Sequence, residues 1–172
     1  MLKYICMKKN IVIVGMNYEY NKEIAQMISS LTDLYFLDIK EFVEYQLFDK
    51  KNMEQICGIE YMQKQENKAI QSCVEYENTV MTIPLEYFLR KNQYECFANA
   101  CVVYISFSKD KINKLYKTNK DMSMLLSTLI TFEEKDEQLQ KIANLTINVK
   151  NKGKNNIMKE ILHFVEREYE HK

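Results

Sequence analysis

The stretch with the clearest chemical content is Gly15-Met16-Asn17-Tyr18-Glu19-Tyr20-Asn21-Lys22. It follows four β-branched apolar residues, Ile11-Val12-Ile13-Val14, and precedes an apolar stripe at helical spacing, Ile24, Met27, Ile28 and Leu31. A glycine between a buried strand and a helix is the setting of the phosphate-binding turn G-x-x-x-x-G-K-[ST]. That turn aims backbone N–H groups at phosphates, extends a lysine to the β- and γ-phosphates, and places a hydroxyl on Mg²⁺. Counted from Gly15, the second glycine falls on Tyr20, the lysine on Asn21 and the Ser/Thr on Lys22. One identity is kept and three are lost. A tyrosine held in the left-handed region costs about 1–2 kcal/mol, so the turn is expected to take another shape. Gly15 is expected to supply a positive φ. The rings of Tyr18 and Tyr20 would fill the volume a phosphate needs. Lys22 stands one position late, about 100° around a helix, and is expected to point elsewhere. The preferred reading of these residues is a strand–turn–helix without a ligand; a working phosphate site is the alternative.

Few other residues offer chemistry. Asp38 ends a second apolar run, where it could cap the next helix. Cys6, Cys57, Cys73, Cys96 and Cys101 form no C-x-x-C pair, and an odd count suggests no closed disulfide framework. Cys96 and Cys101 lie among apolar residues and read as core thiols. His163 and His171 have no cysteine or carboxylate cluster around them and are not expected to bind metal; His163 reads as a packed helical residue.

Composition sets outer limits. A chain of 172 residues, 47% hydrophobic and 28% charged, reads as one globular domain over residues 1–172. Formal net charge is zero, so no electrostatic case exists for nucleic acid or an anionic membrane. One proline and three glycines argue against an all-β fold. No apolar run approaches a membrane span. Met7-Lys8-Lys9 with the following apolar run imitates a signal peptide only faintly, so a cytoplasmic setting is expected. Met7 could be the native start, with Met1–Cys6 as a frayed extension.

Strands and helices alternate along the chain. Strands are expected at Leu34–Leu37, Asn78–Thr82, Ala100–Phe107 and Leu145–Val149 in addition to the first. Helices are expected from about Lys22, over Ile39–Phe48, Gly58–Glu75, from Pro84, over Lys109–Tyr116, Met124–Ala143 and Ile157–Tyr169. Asp49–Asn52 reads as a helix break, and Lys117–Ser123 as a polar mobile stretch. Five strands separated by helices imply a three-layer α/β/α fold with a parallel sheet. Ligands in such sheets bind at the carboxyl ends of the strands, which here carry Gly15–Asn21, Asp38, Thr82–Leu85 and Ser106-Phe107.

From Lys9 to Val165 the chain resembles shikimate kinases, a P-loop kinase family. NIVIVG resembles the family's opening strand, YFLDIKEF its F-x-D-x-D-E stretch, and GIEYMQKQE its G-E-x-x-F-R-x-x-E. TVMTIPL stands where a strand leads into T-G-G-G. NQYECFANACVVYISFS resembles the segment ending V-V-Y-L-D-A-S, and KDEQLQKIAN resembles R-x-P-x-Y-x-E-x-A-D. The resemblance implies a P-loop kinase fold, with a lid-like segment at about residues 109–125.

Its working residues transfer poorly. The resemblance implies that Asp38 matches the metal-assisting Asp, and that Lys40 replaces a shikimate-contacting Asp. Gln63 replaces the arginine that grips the substrate carboxylate, and lacks its charged bidentate fork. Glu66 keeps a motif glutamate. Ile83-Pro84-Leu85 replaces three glycines, and Lys135 replaces a second carboxylate-binding arginine. The lid arginine has no secure counterpart; Lys117 and Lys120 are the nearby cations, and Ser123 or Met124 the aligned position. Phosphoryl transfer rests on positioning and electrostatics, and one lost donor typically costs about 10²–10³ in rate. The expectation is a shikimate-kinase-like protein that has lost ATP-dependent phosphoryl transfer and acts by binding a protein partner or small molecule, with no cofactor. The alternative is a divergent kinase using ATP and Mg²⁺ on shikimate or another small alcohol, with Asp38 and Lys22 or a lid lysine as its working residues.

Overall fold

The computed structural model describes residues 9–118 and 131–169. Five strands form one parallel sheet: β1 (Ile11–Val14), β2 (Tyr35–Asp38), β3 (Thr79–Thr82), β4 (Cys101–Ser106) and β5 (Leu145–Asn148). Their order is β2-β3-β1-β4-β5. Ile11 pairs with Val80 on one side and Cys101 on the other, which fixes β1 at the centre. The central position explains its sequence. Ile11 and Ile13 join the core on one face, Val12 and Val14 the core on the other, so every residue of the strand is buried.

Helices α1 (Tyr18–Leu31) and, at the end of the chain, α8 (Lys154–Tyr169) cover the first face. Ile24, Ala25 and Ile28 of α1 and Ile157, Ile161 and Val165 of α8 supply its apolar stripe. The second face is covered by α2 (Ile39–Gln46), α4 (Ile59–Cys73), α5 (Leu85–Leu89) and α7 (Phe132–Ile142), through Val43, Ile70, Phe88 and Leu139. Helix α6 (Lys109–Thr118) follows β4, with Ile112 buried. The three-layer α/β/α architecture expected from the sequence is therefore present.

Several boundaries differ from the expectations. Helix α1 begins at Tyr18, not Lys22, because Asn17 caps it by accepting from the backbone N–H of Tyr20 at 3.2 Å. Asp49–Asn52 is a start as well as a break: Asp49 caps a separate helix, α3 (Lys50–Cys57), and Gly58 at φ 84° ends it. A 3₁₀ segment at Arg90–Phe97, with Lys91 and Asn92 in the left-handed region, was not foreseen. Pro84 precedes α5 rather than opening it. The closing helix starts at Lys154, within the expected turn. His163 is exposed on it rather than packed. Cys101 is buried and Cys96 half-buried; Cys6, Lys120, Ser123, Met124 and His171 lie outside the described residues, as does the side chain of Lys117.

Candidate functional site

The chain runs from β1 to β3 on one side of the sheet, then jumps from β3 to β4 across β1. That reversal opens a crevice at the carboxyl end of β1. A cavity of about 530 Å³ lies there. Gly15, Tyr18 and Tyr20 line it from the turn and α1, Lys40 from α2, Pro84 and Leu85 from the start of α5, and Lys135 from α7. The sequence-derived positions Asn21, Lys22, Asp38, Gln63 and Ile83 are not part of that lining.

The turn is short because helix α1 absorbs most of it. Gly15 does not have a positive φ, contrary to expectation; among the described residues the only such glycine is Gly58. Gly15 is required for room. A Cβ there would lie 2.5 Å from the backbone oxygen of Ile105 and 3.2 Å from Nδ2 of Asn21. Asn21 is fully buried and donates from Nδ2 to the Gly15 carbonyl at 3.2 Å. A side chain so placed ties the turn to its own helix.

The charged centre sits below this floor. Asp38 is 5% exposed, and three donors converge on it. The Tyr18 hydroxyl donates to Oδ1, and the Glu41 backbone N–H donates to the same oxygen at 3.1 Å, so Asp38 caps α2. The Lys22 ammonium lies 2.8 Å from Oδ2 and 2.5 Å from Oε1 of Glu41. Lys22 thus points at Asp38 and does not line the cavity. Burial works against ionisation of Asp38, but Lys22, Tyr18 and the Glu41 amide outweigh it and hold the carboxyl below its usual range. The hydrogen bonds from Lys22 to Asp38 and Glu41 push its ammonium pKa up. Burial, then the bond to Asp38, raises the Tyr18 phenol.

Tyr20 turns the other way. Its ring meets Phe107 edge-on at 5.0 Å between centroids, and Lys154 lies 5.2 Å above it. Lys40 stands 5.9 Å from the Tyr18 ring. Ile83 is fully buried, and Gln63 is half-buried on α4.

Two networks escaped the sequence reading. Glu66, 2% exposed, meets Lys50 at 2.6 Å and Arg90 at 2.5 Å, and accepts from Tyr87 at 3.0 Å. Tyr104 donates to Asp136 at 2.5 Å, and Gln140 donates to the other Asp136 oxygen at 2.7 Å. Sequence reasoning also passed over Glu19, Glu23 and Glu86, which line the cavity. The i, i+4 spacing of Glu19 and Glu23 was the available signal, since it sets both on one face of α1.

A parallel sheet in this order, with a glycine turn leading from its central strand into a helix, defines the P-loop kinase architecture. A family model described as Shikimate kinase matches residues 22–166, and the chain belongs to that family. Among solved structures it is similar to shikimate kinase from Aquifex aeolicus, at 18% identity over 91% of this chain and 96% of that one, with a TM-score of 0.74. The shikimate kinase from Bacteroides thetaiotaomicron gives 13% identity over 92% and 98%, with a TM-score of 0.74. The enzyme from Acinetobacter baumannii, in complex with shikimate, gives 16% identity over 92% and 93%, with a TM-score of 0.71. No curated protein sequence matches the chain.

Proposed function

We propose that this member of the family has lost ATP-dependent phosphoryl transfer and acts by binding, to a small molecule in the cleft or to a protein partner. The observation that carries this reading is the occupation of Asp38 by its own chain. Mg²⁺ demands near-octahedral oxygen coordination. At Asp38 one oxygen already accepts from Tyr18 and Glu41, and an ammonium sits 2.8 Å from the other. The residues present do not fit a metal ion there. They fit a triphosphate no better, since Asn21 is buried against Gly15 and the two lysines of the cavity, Lys40 and Lys135, are matched by Glu19 and Glu86. Ile83-Pro84-Leu85 offers bulky side chains and a residue without an N–H where close backbone approach would be needed.

Two further points bear on partners and setting. Among the described residues no helix is long and apolar enough to cross a membrane, and zero formal net charge gives nucleic acid no general attraction. We place the protein in the cytoplasm, without a nucleic-acid or membrane partner.

Thermal denaturation with Mg·ATP, ADP or shikimate tests the proposal. A ligand at 100 times its dissociation constant adds about 2.7 kcal/mol; the expected result is no shift with any of the three. A coupled ADP-release assay on shikimate and a panel of small alcohols is expected to stay at the blank. Turnover above it would establish the second reading, an ATP-dependent kinase of a small alcohol.

A further inference from the structure

We propose that the cleft takes a small zwitterion with an apolar body, the class to which the larger neutral α-amino acids belong. The inference rests on the binding role proposed above and names the chemistry of the ligand.

The cavity of about 530 Å³ lies within the size range of small-molecule sites. Its walls are largely apolar, from Met16, Leu85, Ile112 and the Tyr18 and Tyr20 rings. Its charges are of both signs: Glu19, Glu23 and Glu86 against Lys40 and Lys135. Glu23 is already neutralised by an ion pair with Lys154. Glu19 and Glu86 have no ion pair or side-chain hydrogen bond among the described residues, and neither does Lys135. Among the described residues, Lys40 faces only the π-surface of Tyr18.

Among the described residues, two carboxylates and two ammonium groups are therefore left for a ligand. A polyanion would meet the carboxylates without enough cations to offset them. A simple amine would leave the lysines unanswered, and a simple carboxylate would leave the glutamates unanswered. A molecule with one charge of each sign answers both, and its apolar remainder matches the walls. Such matching favours the right ligand and penalises partial analogues, because each missing charge leaves a partner group without its counter-ion.

Calorimetric and NMR titration of the full chain with L-phenylalanine and L-leucine tests this, beside phenethylamine and 3-phenylpropionate, which each lack one charge. Saturable binding of the amino acids is expected, with shifts at Gly15–Tyr20 and Leu85. The one-charge analogues should bind about five- to tenfold more weakly. The paired variants Glu19→Gln with Glu86→Gln, and Lys40→Gln with Lys135→Gln, should each erase the preference over the analogue lacking the matching charge. All four positions are exposed or half-buried, and unchanged circular dichroism will show that the fold is kept. Absence of amino-acid binding, or equal binding of the analogues, would overturn the proposal. Either result leaves the loss of phosphoryl transfer standing, because the ADP-release assay judges that separately.

Discussion

At the scale of the residue, Asp38 decides most. Its carboxyl is held below the usual range, so it stabilises the fold above about pH 4, near its unfolded value. That stability is lost as the pH falls through the lower folded value. Hydrogen bonds to charged groups contribute about 1.5–3 kcal/mol, and Tyr18→Phe removes one. Urea denaturation at pH 7 should show a loss of about 1.5 kcal/mol. Lys22→Met removes the counter-ion. Breaking a buried pair costs about 3–5 kcal/mol; with Lys22 23% exposed, the loss should be nearer ~2 kcal/mol. The same variant should flatten the acid side of the stability curve, since the carboxyl then titrates closer to its unfolded value. The raised Lys22 pKa works at the other end: its contribution is complete below about pH 10.4 and fades only as the pH rises past the folded value.

At the scale of the element, the turn after β1 shows how a glycine can matter without a special φ. Gly15→Ala would press a methyl group against the Ile105 backbone oxygen, which cannot rotate away. Overpacking of this kind costs about 1–3 kcal/mol, readable as a lowered urea midpoint at unchanged m. The sheet was legible in the sequence because β1 and the centre of β4, Val102–Ile105, are continuous β-branched or aromatic runs, and burial on both faces demands such runs. The start of α1 was missed because its cap, Asn17, was counted as part of a longer loop. With the helix starting at Tyr18, Lys22 lies one turn further on along the same face, and both side chains reach Asp38. Helix α3 was hidden because its polar opening, Asp49-Lys50-Lys51-Asn52, reads as a break, and none of its residues is buried. The contact between Tyr18 and Asp38 bridges a separation of 20 residues, and no local pattern encodes it.

For the whole molecule, the two halves of the sheet differ in what holds them. The half around β2 and β3 contains both strongly paired buried carboxylates, Asp38 and Glu66. Burial opposes ionisation of Glu66 too, but Lys50 and Arg90 prevail and lower its pKa. Both groups thus lose stabilising charge as the pH falls. The β4–β5 half has no buried ion pair among the described residues: apolar contacts carry it, and Asp136 meets the neutral donors Tyr104 and Gln140 rather than a cation. Hydrogen exchange near pH 3 should therefore open α2, α4 and α5 before β4 and α8. Glu66→Gln at pH 7 should cost about 2–3 kcal/mol, because Lys50 and Arg90 would then face each other without a neutralising charge.

Helix α3 is fastened only in its first turn, by Lys50 on Glu66 and by Met53 half-buried against the core, and its last residues are exposed. A helix fastened at a single end can peel from the other at little cost. Native-state hydrogen exchange should therefore be fast at Gln55–Cys57, the free end of α3, ahead of the buried turn of α4 around Ala69 and Ile70.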